Sequence, residues 1–144
     1  MERAKEMCDF VEATDKLFRG KRCDNGEWVI GHLLAEDIIV PVNTPFVIFD
    51  KNVIHSLNVC VVRSNTVGQF TGLRDKHDVP IYEGDIVMKR TYHGKKPMRV
   101  VFSYGCFHCG WGGGSSTAMH PYTLEDKQIE VIGNVFDHHE LLEE

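Results

Sequence analysis

The chain has no apolar run of the ~20 residues that a membrane helix needs. Its longest candidate, "VIGHLLAEDIIVPV" over residues 29–42, is broken by charge. The opening residues "MERAKEMCDF" also lack the apolar stretch of an export signal, so a cytoplasmic protein with no membrane partner is expected. Cysteine is sparse and odd in number, five in 144 residues, which argues for reduced thiols rather than a disulfide framework. Positive charge is also short: 16 Lys and Arg stand against 21 Asp and Glu, a net charge of −5. That balance disfavours a protein coated in phosphate contacts and leaves room only for local basic patches. The length suits one domain with its own core, or two small β units sharing one.

Ala4, Met7, Cys8 and Val11 recur at helical spacing among Glu and Lys, which predicts a short amphipathic helix over residues 1–14. Beyond Asp15 the texture becomes that of strands. Asp24-Asn25-Gly26 is a turn signal ahead of a β-favouring run from Trp28 to Leu34, so a hairpin is expected there. Short β-branched and aromatic runs follow at "DIIVPV", "PFVIF", "SLNVCVV" and "VGQFTGL", and Pro41 belongs at a strand end or edge. "DIVMKRTYHG" and "PMRVVFSYG" predict a second hairpin around a Tyr92–Pro97 turn. The glycine-rich residues 105–117, "GCFHCGWGGGSST", predict a loop. "IEVIGNVF" then supplies a last strand, and "DHHELLEE" one terminal helical turn.

Three groups of residues raise chemistry. Glu83 and Asp85 bracket Gly84 in "IYEGDIV", an arrangement that would suit a divalent cation or an acid and base pair. The simpler reading is a bend in which Gly84 supplies a left-handed or bulged conformation and Asp85 caps the turn. Cys106 and Cys109 have zinc-knuckle spacing ahead of Gly110, with His120 the third candidate ligand and His108, His138, His139 or Cys60 as other completions. No second C-x-x-C exists and three ligands bind weakly, so we expect no tightly bound metal, no cofactor and no Cys106–Cys109 disulfide under reducing conditions. "GWGGGSST" lacks the lysine of a phosphate-binding loop.

Two basic clusters sit beside the expected hairpins. Arg19, Lys21 and Arg22, with Lys16, surround Phe18, while Lys89, Arg90, Lys95, Lys96 and Arg99 surround Tyr92. Cations interleaved with aromatics on a barrel surface can hold a single nucleic-acid strand, although a charge run on a hairpin is more often a solvated face.

"KLFRGKRCDNGEWVIGHLL", "TVGQFTGLRDKHDVPIYEGDIV" and "IEVIGNVFDHHELL", in that order, resemble the YopX family of bacteriophage and prophage proteins. The likeness runs from about Lys16 to the end, and its middle block is the most specific. It implies a mainly β fold with a small SH3-like or Greek-key barrel unit packed with a further hairpin or sheet subdomain. The expected division is a helical extension over 1–14, a β subdomain over about 15–66 and a barrel-like subdomain over about 67–144. The resemblance supplies no catalytic residues. The helical extension and the "CFHCGWGGGSST" insertion lie outside the family signature.

The expectation is therefore a non-enzymatic phage or prophage protein in the cytoplasm of its bacterial host. It would serve as a protein-interaction or self-assembling β module whose partner is itself or a phage or host protein. The alternative is a nucleic-acid-binding accessory protein that uses its basic hairpins.

Overall fold

The computed structural model describes residues 16–42, 59–103, 105–110, 124 and 127–142. Within them the chain is mainly β, in two antiparallel sheets, as the strand-like texture of the sequence leads one to expect. It divides into two units, residues 1–69 and 70–144. The expected helix over residues 1–14, the run "PFVIF" and residues 111–117 lie outside the described residues.

Unit 1 is built on the hairpin of β1 (Phe18–Lys21) and β2 (Trp28–Ala35). Its turn closes through Arg22 N–H to the Glu27 carbonyl at 2.9 Å and Gly26 N–H to the Arg22 carbonyl at 3.0 Å, with Gly26 at φ +72°. A side chain would be strained there. The Asn25 carboxamide oxygen accepts from Glu27 N–H at 2.9 Å, which is why Asn stands at this position. β3 (Ile38–Pro41) lies against β2, and β4 (Cys60–Val61) against β3. Pro41, which has no amide to donate, is the last residue of β3.

Alternation directs Phe18, Val29, Leu33, Ile39, Cys60 and Val62 inward to one apolar cluster. Gly31 is buried because the chain of β3 passes directly over it: an added Cβ would lie 2.7 Å from the carbonyl carbon of Val40 and 2.9 Å from Cα of Pro41. After a 3-10 turn at Ser64–Thr66, the first residues of β5 (Gly68–Arg74) pair with β1.

Unit 2 begins inside β5, whose later residues pair with β6 (Pro80–Tyr82). Four further strands, β7 (Asp85–Thr91), β8 (Gly94–Ser103), β9 (Cys106–Gly110) and β10 (Glu130–Asn134), form a sheet in the order β10-β7-β8-β9. Its core is Ile81, Val87, Met98, Val100, Cys109, Leu124 and Ile129. Residues His139–Leu142 make the terminal 3-10 turn.

Two expectations are corrected here. Residues 106–110 form strand β9 rather than part of a loop, because "CFHCG" contains no glycine before its last position and Phe107 and Cys109 alternate inward onto the core. Gly105 carries the turn into that strand, at φ +78°. The β7–β8 turn is also tighter than Tyr92–Pro97. Thr91 pairs with Gly94, so only Tyr92 and His93 lie between the strands and Lys95–Pro97 belong to β8.

Candidate binding surface

"IYEGDIV" is the bend between β6 and β7. Gly84 takes φ +89° and donates its amide to the Val100 carbonyl at 2.9 Å, while Val135 N–H donates to the Gly84 carbonyl at 2.9 Å. The Asp85 carboxylate is 1% exposed and accepts from Tyr82 N–H at 2.8 Å, so this oxygen serves the turn. Asp75 does the same for the preceding loop. One of its oxygens accepts from His77 N–H at 2.8 Å and Val79 N–H at 2.9 Å, and the other from Val131 N–H at 2.9 Å. Burial pushes the Asp75 carboxyl up, yet the amides of Val131, Val79 and His77 outweigh it and hold the group below the ordinary carboxylate value.

The two cysteines of the C-x-x-C motif stand three residues apart on a strand, an odd spacing that sends their side chains to opposite faces. Cys106 is exposed at the start of β9 and Cys109 is wholly buried in the core. Third candidate His120 lies outside the described residues. Among the described residues, no group of three or more His, Cys, Asp and Glu is arranged to hold a metal ion. On the Cys106 side of the strand, the imidazole Nε2 of His108 lies 3.0 Å from the Ser103 hydroxyl. His108 is buried, and its Nδ1 has no hydrogen-bond partner among the described residues.

The basic residues sort by strand parity. In unit 1, Arg19 and Lys21 stand on the same side of the β1–β2 hairpin as Trp28, the cross-strand partner of Lys21. The Arg19 guanidinium carbon is 4.7 Å from the Trp28 ring centre and the Lys21 ammonium 5.7 Å, both cation–π contacts. Arg22 instead forks onto Asp24, Nε to one carboxylate oxygen at 2.9 Å and a terminal nitrogen to the other at 2.7 Å. That hydrogen bond raises the pKa of Arg22 and lowers that of Asp24, and it commits the guanidinium to its own turn.

In unit 2, Arg90 faces Lys95 across the β7–β8 ladder and Lys89 faces Lys96. Alternation places Arg90, Lys95 and Arg99 on one face, all exposed, with Met88 and Pro97 between them. Lys89 and Lys96 take the other face, where Val87, Met98 and Val100 build the core, and Lys89 is only 6% exposed. At the tip, Tyr92 is 98% exposed, its ring edge-on to His93 at 5.3 Å.

On the Arg90 side, the sheet carries a depression of about 90 Å³ lined by Met88, Arg90, Lys95, Gln128 and Glu130. Glu130 pairs with Met88 in register and is held by Lys76 at 3.2 Å and His77 at 3.4 Å. Gln128 and Glu130 do not stand out in the sequence, because only the β10–β7 register brings them beside the basic residues. The alternation of "QIEVI" could place Glu130 on one face of a strand, but not next to Arg90.

Two antiparallel sheets with short strands and tight turns define a β-sheet protein of the same fold as a solved bacterial protein. Protein EF1440 from Enterococcus faecalis, known from a crystal structure, superposes with a TM-score of 0.53 at 21% identity, over 89% of this chain and 98% of that one. The YopX protein family model matches residues 17–143, and the chain belongs to that family. No curated protein matches it.

Proposed function

We propose that the chain is a non-enzymatic binding module whose described surface best fits single-stranded nucleic acid. The carrying observation is the β7–β8 hairpin, which carries Tyr92 at its tip, 98% exposed, and Arg90, Lys95 and Arg99 along one face of its strands. An aromatic ring has an apolar face for a base to stack on, and cations in register beside it can follow a phosphate backbone. Contacts of this kind are sequence-tolerant, since every base has a π-face. The setting we infer, from the YopX likeness, is a phage or prophage protein in the cytoplasm of a bacterial host.

Fluorescence anisotropy with labelled dT15 and rU15 at low salt tests the reading. Binding is expected, and Tyr92→Ala should weaken it by about 1–3 kcal/mol, as for loss of one stacked base. No binding at low salt, or binding untouched by Tyr92→Ala together with Arg90→Ala and Lys95→Ala, sinks it.

A protein partner, or a second copy of the chain, is the second reading. It is favoured by Ile30, Leu34 and Val61, which are 39%, 50% and 52% exposed in unit 1. Exposed aliphatic side chains are the contacts through which a protein partner would bury apolar surface. Light scattering during size-exclusion chromatography should then give a mass above that of one chain, falling in Leu34→Lys. A monomer across the accessible concentration range removes self-association.

A further inference from the structure

We infer that the depression beside the β7–β8 hairpin is a nucleotide subsite that selects guanine within a bound strand. This rests on the nucleic-acid reading above. The volume, about 90 Å³, is several times the ~10–15 Å³ that one water requires, so the depression has room for a larger group. Its chemistry is divided. Arg90 and Lys95, cross-strand partners, supply positive charge at the hairpin side. Glu130 supplies a carboxylate at the opposite side, on β10, and Met88 lies between them on β7 as an apolar, polarizable surface.

A phosphate alone would meet Arg90 and Lys95 but has no donor for Glu130, whose carboxylate keeps acceptor lone pairs beyond its pairing with Lys76 and His77. A cation alone would meet Glu130 but also Arg90 and Lys95. The group that satisfies both ends is anionic at one end and rich in hydrogen-bond donors at the other. A guanine nucleotide has that division: its phosphate suits Arg90 and Lys95, its ring can lie over Met88, and its adjacent N1–H and exocyclic amine can donate side by side to one carboxylate. Thymine and uracil offer a single ring N–H between two carbonyl acceptors, and those carbonyls would face Glu130 unfavourably. Lys76 and His77 hold the Glu130 carboxylate at 3.2 and 3.4 Å, which fixes its position before any ligand arrives.

The experiment compares dT15 with the same oligonucleotide carrying one central dG, or one central inosine, against the full-length protein and Glu130→Gln. The dG strand should bind about tenfold more tightly than dT15, as one bidentate contact to a base allows. Inosine, which lacks the exocyclic amine, should lose most of that gain, and Glu130→Gln should abolish it while dT15 still binds. A thermal melt of Glu130→Gln identifies a variant that has lost its fold; Glu130→Asp, which keeps the carboxylate on a shorter arm, should then show a reduced preference. Equal affinity for dG and dT strands, or a preference that survives Glu130→Gln, overturns the subsite and leaves the nucleic-acid reading standing. Failure of every oligonucleotide to bind overturns both.

Discussion

Asp75 is the residue on which the loop between β5 and β6 depends. It is 8% exposed and accepts three backbone amides, from His77, Val79 and Val131. Asp75→Ala leaves three amide donors without that acceptor, and a loss of about 3 kcal/mol is expected in urea unfolding. Asp75→Asn should cost less, since one carboxamide oxygen remains, but its NH2 would face an amide donor. The same residue gives a pH dependence. Its folded pKa lies below the unfolded value of about 3.9. The unfolded state therefore binds the proton more readily, so the contribution is fully present above about pH 5 and is lost as pH falls through the folded pKa. Stability measured from pH 6 down to pH 2 should fall less steeply in Asp75→Asn than in the parent chain. Identical slopes would remove Asp75 as a source of acid sensitivity.

At the scale of the element, alternation was legible wherever a strand has one wet face. The β1–β2 hairpin could be read from Asp24-Asn25-Gly26, and the bend at Gly84 from "IYEGDIV", because turn chemistry is local. β9 could not. Gly110 and the glycines at 112–114 that follow it in the sequence dominate the composition of the segment, whereas Phe107 and Cys109 face inward only because β8 supplies a neighbour. The basic cluster illustrates the same limit: one run of cations was visible, but its division into an outer Arg90, Lys95 and Arg99 and an inner Lys89 and Lys96 follows from register. Gly31 is another such case. Nothing near it in sequence demands glycine, yet the Val40–Pro41 backbone occupies the space of a side chain. Because a backbone cannot swing aside as a side chain does, Gly31→Ala should destabilise unit 1 by about 3 kcal/mol in denaturant unfolding. A change below about 0.5 kcal/mol would mean that β3 can shift without cost.

For the whole molecule, net charge and local charge pull in opposite directions. The chain is acidic overall, at −5, while the outer face of the β7–β8 hairpin is basic. Long-range attraction of an acidic strand is therefore weak, and binding depends on short-range contacts that salt screens. Three exposed cations, Arg90, Lys95 and Arg99, set the scale. If each meets one phosphate, log K should fall with log salt with a slope of about −2 for a single strand, and Lys95→Ala should make it shallower by about 0.7. A slope near zero would mean that the hairpin cations do not meet phosphates. This balance was only half legible in the sequence, which shows the totals but not which side of a strand each charge occupies.

The β7–β8 hairpin has one further property, visible in where β9 stops. β9 pairs with β8 only from Arg99 to Ser103, so among the described residues no strand lies beside Gly94–Met98 on that side. An uncovered strand margin is a template on which another chain can zip up. Here the margin carries Lys95, Lys96 and Pro97, two like charges and a residue without an amide hydrogen, which are the means by which sheets resist such growth. The lysine that would draw an acidic strand is thus also a guard against fibril-like stacking. A polyanion that neutralised Lys95 would lower that guard and leave Lys96 and Pro97 to hold it.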